Sequence, residues 1–230
     1  WRLTKFHGGT GDVLWDVSWA LNDPDSPRAL AVDGNGDVFV TGEIAVGSGG
    51  WGVVVKRDGT TGSELWSVAQ TDIKTRFLSI DGSGRLYVSG QATDYPYDNK
   101  SKAIDPAGVT QWTNANMTGG HANVNAVQAV VDSTSNAFVS TNEGTFTVRK
   151  YDPSGNLLWT GGLSSSYGTS AAMAVDSSGD LVLMTTDYWG NGQSVLVEKH
   201  SGATGALLWS TWWDRPGGYY DDFGSGVGVD

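Results

Sequence analysis

Ala29-Leu-Ala-Val-Asp33-Gly-Asn-Gly-Asp-Val-Phe-Val-Thr-Gly42 is a small apolar run, a turn opened by Asp, and a second run of larger side chains. Asp-Gly between two such runs signals a β-hairpin. Gly takes the positive φ of the turn at no steric cost, and the Asp side chain bonds the backbone two residues on. The phrase returns as Leu78-Ser-Ile-Asp81-Gly-Ser-Gly-Arg-Leu-Tyr-Val-Ser-Gly90 and as Ala129-Val-Val-Asp132-Ser-Thr-Ser-Asn-Ala-Phe-Val-Ser140. It returns again as Ala172-Met-Ala-Val-Asp176-Ser-Ser-Gly-Asp-Leu-Val-Leu-Met184, and begins once more at Gly226-Val-Gly-Val-Asp230. The marker Asp recurs at spacings of 48, 51, 44 and 54.

A second marker keeps the same phase. Trp15, Trp66, Trp112, Trp159 and Trp209 are spaced by 51, 46, 47 and 50 residues. Each follows a short strand and a turn, as in Val53-Val-Val-Lys-Arg-Asp-Gly-Thr-Thr-Gly-Ser-Glu-Leu-Trp66 and Val148-Arg-Lys-Tyr-Asp-Pro-Ser-Gly-Asn-Leu-Leu-Trp159. Thr4-Lys-Phe-His7 and Val197-Glu-Lys-His200 match these, while Lys102-Ala-Ile-Asp105 lacks the Lys at the expected place. Each unit therefore reads as four short strands: A before the marker Asp, B after it, C ending near Lys-aromatic-Asp, and D carrying Leu-Trp. Four strands repeating every 44–54 residues is the pattern of an all-β propeller of four-stranded blades. Nothing in the pattern calls for a helix.

The A–B half, Val-Asp-x-x-Gly-x-Val-Phe-Val-x-Gly in the copy at Val32–Gly42, resembles the bacterial SBBP/NHL-type propeller repeat. The C–D half, with its Lys-Tyr-Asp and Leu-Trp, resembles the PQQ-like repeat. That resemblance implies the fold over nearly the whole chain and does not imply the quinone, because the Trp and Gly of such repeats serve packing between blades.

The units expected are 28–68, 77–114, 126–161 and 171–211, with an incomplete one shared between 1–17 and 223–230. Counting strands gives 19 where five complete blades need 20, the missing piece being one B strand. Three expectations follow: a fragment of a larger ring, a ring that closes imperfectly at five blades, or a strand supplied in trans by a partner or a second copy.

Composition narrows the function. The 230 residues carry 25 acidic and 14 basic side chains, a net charge of −11. No nucleic-acid partner is expected, since that affinity depends on neutralising phosphates. No apolar run reaches the roughly 20 residues that span a bilayer. There is no cysteine, and the three histidines are dispersed, so disulfides and thiolate zinc sites are excluded. Low charge, acidity and richness in Gly, Ser, Thr and Asn suit an extracellular or cell-surface bacterial protein.

The A–B and C–D turns are short and share one face of a propeller. The B–C and D–A connections share the other and read as long loops at 16–27, 42–52, 67–76, 90–101, 113–125, 160–170, 185–194 and 210–223. Loops on a rigid scaffold are where function concentrates. Trp19, Trp51, Tyr95, Tyr97, Trp189, Trp212, Trp213, Tyr219, Tyr220, Asp221 and Asp222 fall there and are the candidate ligand-binding residues. Other acids accompany them, including Asp23, Asp25, Asp72, Asp94, Asp98, Glu143, Asp187 and Asp214. Aromatic faces beside carboxylates suit a sugar, the ring packing on C–H groups and the acids taking hydroxyl hydrogen bonds. The same aromatics would equally cover the ring end or pack on a neighbouring blade.

Asp33-Gly-Asn-Gly-Asp37 resembles half of a calcium loop but lacks the later bidentate Glu, so an Asx-turn is the simpler account. Calcium at the loop-face acids is left open, and no other cofactor or metal is expected. Asn99-Lys-Ser101 and Asn116-Met-Thr118 fit the glycosylation sequon. No Gly-x-Ser-x-Gly elbow, phosphate-binding loop or His-Glu-x-x-His occurs. The expectation is a non-catalytic binding or assembly module, with a protein or glycan partner on the loop face and self-assembly at the chain ends as a further option. A lectin is the first alternative, and a glycan-processing enzyme working through paired carboxylates is the second.

Overall fold

The computed structural model describes residues 1–21, 25–46, 49–94, 99–116, 128–142, 146–162, 171–189, 192–213 and 226–229. Blade 1 holds β1 (Arg2–Phe6) and β2 (Val13–Ser18). Blade 2 holds β3 (Asp25–Val32), β4 (Val38–Val46), β5 (Gly49–Arg57) and β6 (Glu64–Gln70). Blade 3 holds β7 (Ile73–Ile80), β8 (Leu86–Ala92), β9 (Asn99–Ile104) and β10 (Thr110–Asn116). Blade 4 holds β11 (Ala129–Val131), β12 (Ala137–Asn142), β13 (Phe146–Tyr151) and β14 (Leu157–Gly162). Blade 5 holds β15 (Ala171–Val175), β16 (Leu181–Trp189), β17 (Gly192–His200) and β18 (Leu207–Trp213). Each four-stranded sheet is an antiparallel meander in chain order, and blade 1 is a two-stranded one. The final A strand expected from the sequence is not formed at 226–229.

The marker aspartates act as the sequence predicts. Asp33 Oδ1 accepts the N–H groups of Asn35 and Asp37 at 3.0 and 2.9 Å, and closes the A–B turn. Asp81, Asp132 and Asp176 repeat this with the residues two and four positions on. Gly36, Gly84 and Gly179 take the positive φ that the turn requires, and in blade 4 Ser135 takes it with φ 64°. A lysine of strand C then neutralises the turn: Lys56 lies 3.0 Å from Asp37, Lys150 2.9 Å from Asp132, and Lys199 2.6 Å from Asp176.

Asp132 shows the electrical consequence. Burial pushes its carboxyl up, but hydrogen bonds from Asn136, Lys150 and Thr134 outweigh that and bring it down to about 2. A carboxylate with a lowered folded-state pKa stabilises the fold above its unfolded value, near 3.8, and that stability is lost as pH falls towards 2. Urea melts of wild type and Asp132→Asn should therefore differ by a constant amount above about pH 5 and converge between about pH 4 and 2. A gap of unchanged size at about pH 2.5 contradicts this account.

The core lies between blades rather than within one sheet. Phe39 and Val54 of blade 2 pack with Leu86, Val88 and Ile104 of blade 3. Phe138 and Val148 of blade 4 pack with Met173, Leu181 and Leu183 of blade 5. A polar joint accompanies each apolar one. The indole N–H of each of the first four repeat tryptophans donates to a carbonyl in the next blade's C–D turn: Trp15 to Gly59 at 3.2 Å, Trp66 to Pro106 at 3.1 Å, Trp112 to Pro153 at 3.2 Å and Trp159 to Gly202 at 3.1 Å. A glycine with positive φ lies under each ring, namely Gly62, Gly108, Gly155 and Gly205. A Cβ on Gly155 would stand 2.7 Å from the Trp112 ring, so the residue must be small as well as left-handed. This is why Trp and Gly keep phase along the sequence.

Candidate binding groove

Two of the connections expected as long loops are hairpins. β4 and β5 pair as far as Val46 with Gly49, and β16 and β17 as far as Trp189 with Gly192. Between β6 and β7 only residues 71–72 intervene. Trp51 therefore sits in β5 opposite Ile44, Trp189 ends β16, and Trp212 and Trp213 belong to β18, opposite Leu196 and Val195. Tyr95, Tyr97, Tyr219, Tyr220, Asp221 and Asp222 lie outside the described residues. Trp19 is placed in blade 1, whereas Trp189, Trp212 and Trp213 are placed in blade 5.

Trp19 follows β2 and Trp1 precedes β1, so both stand on the B–C/D–A face. The Trp19 N–H donates to the Trp1 carbonyl at 2.9 Å, and the two rings meet edge to face, 5.7 Å apart at 62°. The Arg57 guanidinium lies 3.8 Å from the centre of the Trp19 ring, a cation–π contact that occupies one ring face. Arg57 is itself nearly buried and donates to Gly62 at 2.9 Å. Burial pushes its pKa down, with Glu64 opposing. Trp19 is thus first a packing residue between blades 1 and 2, with Trp15, Leu3, Val17, Val38 and Val40. Both indole nitrogens, of Trp1 and Trp19, are buried without a hydrogen-bond partner.

Beside this pair opens a groove of about 410 Å³, lined by Trp1, Arg2, Leu3, Trp19, Pro27, Arg28, Ala29, Leu30 and Val40. That size falls within the range of ligand sites. One wall is the start of β1, which pairs only with β2 among the described residues. The other is β3, where Leu30 is 58% exposed. A smaller hollow of about 200 Å³ lies among Ser26, Glu43, Ile44, Ala45, Gly49, Gly50 and Lys74. Glu43 holds Arg28 of β3 at 3.4 Å and Arg76 of β7 at 3.6 Å. Of the groove's lining, sequence reasoning singled out Trp19 alone. The missed signal is the stretch Pro27-Arg-Ala-Leu30 at the start of strand A, whose Leu30 stands in the open.

Of the loop-face acids, Asp23, Asp98, Glu143 and Asp214 lie outside the described residues, while Asp25, Asp72 and Asp94 are engaged. Asp72 accepts a short hydrogen bond from Lys102, which Gln70 also meets at 3.1 Å, and Lys100 donates to Asp94 at 2.9 Å. Burial pushes Asp72 up, yet the two lysines bring it below the usual carboxylate range; Lys100 does the same for Asp94. Asp25 accepts from the Leu21 N–H at 3.0 Å. Asn99 is 1% exposed in β9, so its sequon is not presented at the surface. No helix among the described residues is long and apolar enough to cross a membrane.

Consecutive four-stranded meanders, locked edge to face by a repeated Trp–Gly joint, make this chain a β-propeller. No protein-family model matches the sequence, and no curated relative does. Solved structures do share its fold. A Bacteroides caccae protein of unknown function is 15% identical with a TM-score of 0.57, over 91% of this chain and 68% of that one. Hydrazine synthase of Kuenenia stuttgartiensis is 12% identical with a TM-score of 0.61, over 91% and 53%. The Dos1 propeller is 10% identical with a TM-score of 0.60, over 93% and 54%. The chain thus spans little more than half the length of the latter two. At these identities the likeness concerns the fold alone.

Proposed function

We propose that the chain is a non-catalytic binding module, extracellular or at a cell surface, which needs no cofactor and receives an extended protein segment in the groove between blades 1 and 2. Its repeats would then be scaffold repeats of the SBBP/NHL and PQQ-like kind that the sequence resembles. The observation that carries the reading is an apolar groove, one wall of which is the edge of β1 that pairs with no second strand among the described residues. Such an edge offers a row of N–H and C=O groups to an added strand, while the groove takes alternate side chains. The engagement of Asp72 and Asp94 with lysines favours binding over acid–base chemistry at those positions. The aromatic side chains of Trp1 and Trp19 in the groove lining favour a lectin as the second reading, because an indole packs on sugar C–H groups.

Screening extended peptides beside an oligosaccharide array, with tryptophan fluorescence as the readout, tests both. Leu30→Glu places a charge in the groove at an exposed position, so it should weaken a peptide about tenfold or more, about 1.4 kcal/mol, and leave the melting temperature unchanged. Saturable binding of a sugar instead of a peptide moves the reading to the lectin. Ligands whose affinity ignores Leu30→Glu place the site elsewhere.

A further inference from the structure

The Trp–Gly joint is made four times, and the two halves of a fifth are present but apart. On blade 5, Trp209 is 45% exposed where Trp15 is 9%, and every residue of β18 is exposed. On blade 1, the turn His7-Gly-Gly-Thr-Gly11 shares its second, fourth and fifth residues, Gly, Thr and Gly, with Asp58-Gly-Thr-Thr-Gly62 and Ser201-Gly-Ala-Thr-Gly205. Its hydrogen bonds match as well: Gly11 N–H to His7 C=O at 2.8 Å, like Gly62 to Asp58 and Gly205 to Ser201, both at 2.8 Å. Gly11 has φ +76°, and Gly62 and Gly205 have +75° and +74°. A Cβ on Gly62 or Gly205 would meet an indole at 3.0 or 2.8 Å, whereas nothing lies within 4 Å of one on Gly8 or Gly11.

We infer that the outer face of blade 5 is an assembly surface whose partner is the blade 1 turn of a second copy of this chain. Trp209 of one copy then covers Gly11 of the next, and its N–H donates to the Gly8 carbonyl. Lys199 is placed to share that carbonyl, as Lys5 shares Gly59 with Trp15 and Lys150 shares Gly202 with Trp159. The surface differs from the groove and does not depend on it. The partner's identity follows from chemistry: the indole face needs a turn with a carbonyl and a left-handed glycine in this register, and the chain carries such a turn uncovered. Because the two patches differ, the contact is head-to-tail, and each added copy leaves one patch of each kind open.

Sedimentation velocity over a wide concentration range tests this. Wild type should form a concentration-dependent ladder. Trp209→Ala and Gly11→Asn should each remain at the 24.3 kDa of one chain, because each lacks one half of the joint. Asn tolerates the left-handed conformation, and circular dichroism melts matching wild type show that both variants fold. An equimolar mixture of the two has one working joint and should give a species of twice the chain mass and nothing larger. Trp209→Phe, which keeps the ring and loses the donor, should assemble more weakly than wild type. A wild type that stays monomeric at every concentration overturns the inference, and so does assembly that persists in either single variant.

Discussion

Gly90→Ala lowers stability by about 3 kcal/mol, the upper part of the usual cost of overpacking. For a chain of this size that is roughly 6–12 °C in melting temperature. A Cβ on Gly90 would stand 1.9 Å from the Lys74 carbonyl oxygen and 3.1 Å from Thr75 Cα. Both are backbone atoms, so no side chain can swing aside. The crowding has a local cause. β7 bulges between Thr75 and Phe77 where it pairs with Ser89 and Gly90, which presses its backbone towards β8. Blade 2 repeats the arrangement: the bulge between Pro27 and Ala29 faces Gly42, whose Cβ would lie 2.2 Å from the Ser26 carbonyl oxygen. The glycine that ends the second run of the repeat is therefore a packing requirement. Gly34→Ala is the control. Nothing lies within 4 Å of its Cβ position, so it should change stability by no more than about 0.5 kcal/mol. Thermal melts of the two variants in parallel decide the matter, and equal shifts would refute the account.

Trp159→Ala and Trp209→Ala remove the same residue type from the same place in the repeat, with opposite expected results. Trp159 meets Phe138 at 5.8 Å and 66°, covers Gly205 and donates to Gly202. Its loss should cost about 3–5 kcal/mol, a large part of the 5–15 kcal/mol typical of a folded domain. Trp209 is 45% exposed and covers no neighbouring blade among the described residues, so in dilute solution its loss should cost about 0.5 kcal/mol or less. Urea denaturation at low protein concentration makes the comparison. A Trp209→Ala cost near that of Trp159→Ala would mean that the joint does not account for the phased tryptophans.

Much of the architecture is legible in the chain because it is local. A marker Asp whose carboxylate takes the N–H groups two and four residues on builds its hairpin from neighbours in sequence. The phase of Trp against Gly is also legible, since each blade repeats it. The aromatic reading was less transferable. Where a strand ends depends on how far its partner continues, so 42–52 and 185–194, which look like loops by composition, are paired extensions of β4–β5 and β16–β17.

The all-β chain of repeated meanders, its turns and the residues that wedge one blade onto the next can be read from spacings within a single unit. That Trp1, Leu3, Pro27, Leu30 and Val40 line one groove, and that Trp19 is held beneath Arg57, emerges only when the blades are assembled. Such a site is made by two sheets that abut, and the distance across an abutment leaves no period in the sequence.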